Sequence, residues 1–210
     1  MISNMRSSGL VFIAALLFGI SSSAADPQTK LEAHSHVNVI ENDEESLWSN
    51  RYANCDYGFY VILPKGTIGH GNHSPSPNHG FLIGLPDTST TKVVSVDNKR
   101  LIWVNAEYNS FDLSSLKDAA DWRTRLSGED KKEFKVLRRE DTKLNGLAAK
   151  GILYQYESPS GTMIEEEIIA LRAGILYEIG LRTNAADHKQ DNDQFFRVVG
   201  NFRWWKIHYC

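Results

Sequence analysis

The chain has 210 residues, of which 41% are apolar, 23% are charged and 10% are aromatic, a composition typical of globular proteins. This composition excludes collagen-like, coiled-coil and fully disordered chains. The formal charge of −3 produces no strong field toward nucleic acid or an anionic membrane surface, so neither is expected as a partner.

The N-terminus has the organisation of a secretory signal peptide, which we expect to span residues 1–25. Arg6 supplies a weak positive charge, residues 10–20 are apolar, and the small residues 21–25 favour cleavage after Ala25 or, alternatively, after Ala24. An apolar run of this length is too short to cross about 30 Å of hydrocarbon, which requires roughly 20 residues. We therefore expect a secreted or periplasmic protein without stable membrane insertion after cleavage; an uncleaved anchor is the alternative.

The mature chain is expected to begin with a flexible acidic arm, residues 26–50, followed by one domain at residues 51–210. It keeps two cysteines, Cys55 and Cys210. In an exported protein this even number predicts a disulfide between them. Two free thiols, or an intermolecular bridge through Cys210, are the alternatives.

The first half of the domain is predicted to form short strands separated by breakers. Apolar and β-branched runs place strands at residues 57–63, 81–85, 93–96 and 101–108. Gly, Pro, Asn and Ser dominate residues 66–80, so this segment is expected to be a loop and not a central strand.

A helix is predicted at residues 114–126, capped by Ser115 together with Asp118. Its apolar stripe at helical spacing consists of Leu116, Ala119, Trp122 and Leu126.

Four strands are predicted next, at residues 134–139, 148–156, 163–171 and 175–182. Their connections are so short that neighbouring strands must run antiparallel. In the last strand, Ile175, Tyr177, Ile179 and Leu181 share the buried face, whereas Leu176, Glu178, Gly180 and Arg182 take the partly wet face.

A second helix is predicted at residues 191–202 with Asp191 or Asn192 as its cap, followed by a terminal strand at residues 204–208. Strand runs interrupted by two helices indicate an α+β fold, in which helices cover the apolar face of an antiparallel sheet.

The second half of the chain carries three motifs in a recognisable order. Residues 144–148 (LNGLA) lead into a Tyr-rich strand, residues 175–179 (ILYEI) follow, and residues 195–202 (FFRVVGNF) end a helix. This order resembles the PsbP-like α/β/α sandwich family, which includes photosystem extrinsic proteins and DcrB-type periplasmic proteins. The resemblance covers residues 57–205. It implies a non-enzymatic module that binds a partner or ligand in an exported compartment, and it transfers no catalytic motif.

The segment at residues 66–80 also contains three histidines, His70, His73 and His79, within ten residues. Neutral imidazole is a ligand for both Zn²⁺ and Cu²⁺, so these residues are a candidate metal site and the first-ranked functional segment. The alternative is that they form local hydrogen bonds. Within the whole sequence there is no complete dinucleotide fingerprint, Walker A, G-x-S-x-G, H-E-x-x-H or C-x-x-C motif.

Two further groups of residues are candidates for function. Glu166 alternates with Ile164 and Ile168, so it is a buried acid–base group, a residue of the wet face beside a bulge, or the partner of a nearby Lys or Arg. Trp204 and Trp205 must face opposite ways in a strand, so one packs in the core. The other, with Tyr154 or Tyr156, would line an aromatic partner surface, unless core packing accounts for them all.

These observations favour an exported binding or accessory protein without catalytic activity, whose partner is an unidentified protein or small molecule. A metal-binding or metal-dependent hydrolytic protein that uses the three histidines is the second hypothesis. An immunity or inhibitor protein that blocks another protein is the third.

Overall fold

In the computed structural model, the residues described are 47–72, 79–85 and 99–205. Within them the chain forms eleven strands and two helices. In chain order these are β1 (Leu47–Trp48), β2 (Arg51–Asn54), β3 (Phe59–Ile62), β4 (Gly69–Asn72), β5 (Gly80–Gly84), β6 (Leu101–Tyr108), α1 (Leu116–Gly128), β7 (Lys132–Leu144), β8 (Leu147–Ser158), β9 (Gly161–Arg172), β10 (Ile175–Asn184), α2 (His188–Gly200) and β11 (Phe202–Trp204).

The strands form two antiparallel sheets. The large sheet has the order β1-β4-β5-β6-β10-β9-β8-β7, and the small sheet has the order β11-β3-β2. Strands β7 to β10 follow one another through tight turns, because Asn145, Gly146, Ala173 and Gly174 all adopt the positive φ that such hairpins require. The predicted antiparallel sheet with two helices is thus confirmed, although the chain is richer in strand than an α+β label suggests.

Alternation along the strands gives the large sheet two apolar faces. On β10 and β6, residues such as Tyr177 and Val104 enter the main core, which also contains Phe59 and Phe202 of the small sheet and Phe195 of α2. The opposite face packs under α1 in a second core, formed by Ala119, Ala120, Ile152, Tyr154, Ile169 and Leu176. The described residues therefore stack in layers, with the large sheet in the middle.

The two helices begin and end within a few residues of their predicted positions. Ser115 caps α1, since its hydroxyl accepts a hydrogen bond from the Asp118 amide at 3.1 Å, as predicted. The predicted stripe is only partly correct, because Ala119 is buried but Leu126 is 43% exposed.

The prediction that Asp191 or Asn192 caps α2 is wrong. The cap is Asp187, and Asp191 lies inside the first turn of the helix, 2% exposed. Its carboxylate accepts hydrogen bonds from Arg100 at 2.9 and 2.7 Å and from the Thr183 hydroxyl. A contact with a residue 91 positions away leaves no local pattern in the sequence.

Two segments that were predicted to lack regular structure contain strands. Residues 66–80 include β4, which lies between β1 and β5, and the end of the predicted arm forms β1. The glycines of β4 give no apolar alternation, which is why the sequence suggested a loop. Gly69 packs closely there, because a Cβ atom would lie 3.2 Å from the ring of Phe81.

Several predictions fall outside the described residues. They concern the signal peptide at 1–25, most of the arm, the strand at 93–96 and the chain beyond Trp205, so export and the domain boundaries remain predictions. The predicted terminal strand at residues 204–208 is described only as far as Trp205, and within the described part a strand covers Phe202–Trp204. Within the three described ranges, neither helix combines the length and the apolar character needed to cross a membrane.

Candidate functional site

A groove of about 440 Å³ opens beside α1, on the face of the large sheet that α2 does not cover. It forms because α1 packs over β8 and β9 and leaves the neighbouring surface of β5, β6 and β10 without a helix above it. Strand side chains make the floor, and the middle and C-terminal part of α1 make one wall. The lining residues are Leu82, Leu101, Trp103, Asn105, Glu107, Phe111, Trp122, Arg123, Leu126, Glu178 and Arg182.

The indole ring of Trp103 lies across Gly180 of the adjacent strand. A Cβ atom at Gly180 would lie only 2.0 Å from Cζ2 of Trp103, so only glycine leaves space for the ring in this position. The Trp103 Nε1–H donates a hydrogen bond to Oε1 of Glu178. Packing and hydrogen bonding together hold this aromatic surface of the groove in one orientation.

Arg123 of α1 forms ion pairs that connect the wall of the groove to its floor. Its Nη2 lies 2.8 Å from Oε1 of Glu167 and 2.8 Å from Oε1 of Glu178. Glu167 also accepts a hydrogen bond from Tyr154 at 3.1 Å. Burial raises the pKa of Glu167 to about 7, because the loss of water around the carboxylate outweighs the attraction of Arg123, and Glu178 adds to the rise.

A second ion cluster lies beside the first on the same face. The Glu165 carboxylate accepts hydrogen bonds from Arg182 at 2.5 Å, from Lys131, and from Tyr156 at 3.1 Å. Burial acts to raise the pKa of Glu165, but Arg182 and Lys131 together lower it below its usual value. Both arginines that reach the groove are therefore already held by buried carboxylates.

Two acceptors in the groove differ from these paired groups. Oδ1 of Asn105 is buried and accepts no hydrogen bond from any described residue. Glu107 also lines the groove, and within the described residues its carboxylate has no ion-pair partner. Burial and the neighbouring Glu178 raise the pKa of Glu107, while His79 and Arg123 oppose that rise. The groove thus offers acceptors that lack donors.

The three predicted metal ligands are only partly covered by the described residues. His70 lies on β4 opposite Leu82, His79 immediately precedes β5, and His73 is outside the described ranges. Nδ1 of His79 lies 2.9 Å from the Ala106 carbonyl oxygen, which can only accept, so this nitrogen carries a proton. Among the described residues no metal-ligand cluster forms, and the three-histidine site stays a prediction.

For Tyr154 and Tyr156 the burial agrees with the alternative prediction, in which core packing accounts for them. These side chains are 0% and 8% exposed, because their hydroxyls donate to the buried carboxylates of Glu167 and Glu165. Trp204 packs partly against the main core. The ring centroids of Trp205 and Tyr60 lie 5.6 Å apart. Their opposite directions agree with the strand geometry expected from the sequence.

The acidic run of β9 serves as a set of ion-pair partners. Glu166 points to the face opposite Glu165 and Glu167, where its Oε1 lies 2.7 Å from Nη2 of Arg138. Of the predicted alternatives for Glu166, pairing with a nearby basic residue describes this arrangement.

Sequence reasoning missed the groove. One signal was present: the wet-face positions of residues 175–182 include Glu178, Gly180 and Arg182. The alternate positions of residues 101–108 include Trp103, Asn105 and Glu107. The pairing of β6 with β10, which sets Trp103 opposite Gly180 and Asn105 opposite Glu178, brings these two sets together.

The comparisons with known proteins bear on the fold. No family model and no curated protein matches the sequence. Among solved structures, cyanobacterial PsbP (CyanoP) from Synechocystis is 15% identical, with 83% of this chain and 99% of that chain covered and a TM-score of 0.52.

Two further solved structures are more distant. LpqN of Mycobacterium tuberculosis, described as involved in cell envelope biogenesis, is 10% identical, with coverages of 76% and 92% and a TM-score of 0.46. A Pseudomonas aeruginosa protein of unknown function is 14% identical, with coverages of 67% and 95% and a TM-score of 0.45. The resemblance predicted from the three sequence motifs is confirmed as one of fold: this chain has the PsbP-like sandwich architecture.

Proposed function

We propose that this chain is an exported, non-enzymatic accessory protein that binds a small molecule in the groove beside α1. The observation that carries the proposal is the groove itself, with rigidly held aromatic and charged walls and two acceptors that lack donors. Its volume of about 440 Å³ lies within the range of small-molecule sites, roughly 300–1,000 Å³.

The charged groups of the groove support binding in preference to catalysis. Glu165, Glu167 and Glu178 are each paired with one or more cations, and the two contacts of Arg123 with Glu167 and Glu178 hold α1 against the sheet. Groups that are fixed in this way shape a site and orient a ligand. The metal-dependent and inhibitor hypotheses stay predictions beside this one.

The binding proposal is tested with Nile red, a neutral dye whose emission shifts in apolar surroundings. We expect the dye to bind the wild-type protein, and to bind Gly180→Ala about tenfold more weakly, equivalent to about 1.4 kcal/mol. The added methyl group drives the Trp103 ring into the groove and breaks its hydrogen bond to Glu178.

Gly200→Ala is the matched control, because a Cβ atom at Gly200 meets nothing within 4 Å. Thermal unfolding of both variants establishes that each is folded. Absence of dye binding to the wild type, or equal affinity in Gly180→Ala, would contradict the proposal.

Export is tested on material secreted by a host with an oxidising periplasm. We expect a mature chain that starts at Asp26, and a non-reduced peptide map in which Cys55 is joined to Cys210. The chain approaches Cys55 near its end, since the Trp205 amide donates to the Gly58 carbonyl oxygen at 2.8 Å. A cytosolic product that retains its leader, or one in which both thiols react with an alkylating reagent, would refute this part of the proposal.

A further inference from the structure

The cations of the groove are not available to an anionic ligand. Arg123 is bound between Glu167 and Glu178, and Arg182 is bound to Glu165. An anion that recruited either guanidinium would leave a buried carboxylate without its partner, which is costly in a site of low polarity. The charge of the groove therefore disfavours carboxylate, phosphate and sulfate ligands.

The acceptors of the groove, in contrast, lack donors. Glu107 and Asn105 lie two positions apart on β6, so both side chains project from the same face of the sheet into the groove. Oδ1 of Asn105 has almost no accessible surface, so the carboxylate of Glu107 is the acceptor that a ligand in the groove would meet. An ammonium group has three N–H donors and a positive charge that matches the Glu107 carboxylate.

Aromatic rings surround the same space. Trp103 forms part of the floor, while Phe111 and Trp122 pack with their ring centroids 4.9 Å apart on the side of α1. Phe111 is 58% exposed, a large fraction for a phenylalanine. Aromatic faces attract cations as well as apolar groups, so these rings suit a ligand with both features.

From this arrangement we propose that the groove binds a small organic cation, an amine with an aromatic or aliphatic body, whose ammonium group contacts the Glu107 carboxylate. The inference rests on the proposed binding function of the groove and names the chemical class of its ligand. The apolar body lies against Trp103, Phe111 and Trp122.

The test compares three probes that share an indole body: tryptamine, a cation; tryptophol, a neutral alcohol; and indoleacetate, an anion. Titration calorimetry at neutral pH should give a dissociation constant for tryptamine at least about tenfold lower than that for tryptophol, with indoleacetate the weakest. Equal affinity for tryptamine and tryptophol, or tighter binding of indoleacetate, would overturn the inference.

Two variants locate the cation. Glu107→Gln should abolish the preference for tryptamine over tryptophol, because it removes the negative charge that favours the ammonium group. Glu140→Gln, which changes an exposed carboxylate on β7, should leave both affinities unchanged. A preference for tryptamine that persists in Glu107→Gln would rule out Glu107 as the anionic contact.

The preference should also fall in acid, since the proposed contact requires the ionised form of Glu107. Burial beside Glu178 of β10 raises the pKa of Glu107, and Arg123 of α1 and His79 oppose the rise.

The Nile red measurement distinguishes an error in the ligand class from an error in the proposed groove function. If the dye binds and tryptamine shows no preference, the ligand class is wrong; if neither binds, the proposed groove function is wrong as well.

Discussion

Replacing Asp191 with alanine should lower the free energy of unfolding by about 3–5 kcal/mol, as expected when one partner of a buried ion pair is removed. Asp191 and Arg100 have side chains only 2% and 6% exposed, and they are joined by two hydrogen bonds. Without Asp191, the guanidinium keeps the partly exposed carboxylate of Asp187, 3.2 Å from Nη1, and the Thr183 hydroxyl keeps only the Asn184 carbonyl oxygen at 3.4 Å. Urea unfolding followed by tryptophan fluorescence measures the loss.

Asp193→Ala is the matched control, because Asp193 lies on the same helix, has the same charge and is exposed. Its effect should stay within about 0.5 kcal/mol, the usual range for exposed positions. A loss below about 1 kcal/mol in Asp191→Ala would mean that the pair does not anchor α2 to the sheet.

Replacing Arg123 with alanine should be similarly destabilising, by about 3–5 kcal/mol above neutral pH, because Glu167 and Glu178 would share a buried site without their cation. The loss should be smaller at pH 5. The pKa of Glu167 is already raised to about 7 in the folded chain, so below that pH the carboxyl group accepts a proton and the uncompensated charge disappears.

The sign of the pH dependence follows from the same pKa. A carboxyl group whose pKa is higher in the folded state than in the unfolded chain binds more protons when folded. Its ionisation therefore reduces stability as the pH rises from about 4.5 through 7. Removing Arg123 raises the pKa of Glu167 further, so the decrease in folding stability with rising pH becomes steeper. Tyr154, Glu165 and Glu178 face the same carboxylate and remain in the variant.

Arg125→Ala provides the control for Arg123. Arg125 lies on the same helix with its side chain 69% exposed, and its ion pair with Glu129 spans 3.5 Å. Such a pair contributes at most about 0.5 kcal/mol. Urea unfolding at pH 5 and pH 8 compares the two variants; equal losses at both pH values in Arg123→Ala would contradict the role given to Glu167.

Much of the fold could be predicted from the sequence because it depends on neighbours along the chain. The Ser115 cap, the alternation on β6 and β10 and the tight turns at Asn145 and Ala173 act over a few residues. Local steric and hydrogen-bonding rules are therefore sufficient to place them. The same strand order supported the PsbP-like resemblance.

The functional residues could not be placed in this way. Tyr154 lies opposite Glu165 on the neighbouring strand, and its hydroxyl is hydrogen-bonded to Glu167; an aromatic pattern alone does not reveal such a contact. The strand at Gly69–Asn72 was missed because its glycines carry no side-chain pattern, although both neighbouring strands supply backbone partners.

The sequence by itself determined the antiparallel strands, the two helices and the expectation of export, since these follow from short-range periodicity and composition. Only the tertiary structure decided where the charges lie and which of them are paired. Asp191 meets Arg100, and Arg123 meets Glu167 and Glu178, because packing brings distant segments within hydrogen-bonding distance. The groove exists for the same reason: it forms where two wet strand faces and one side of a helix enclose a space.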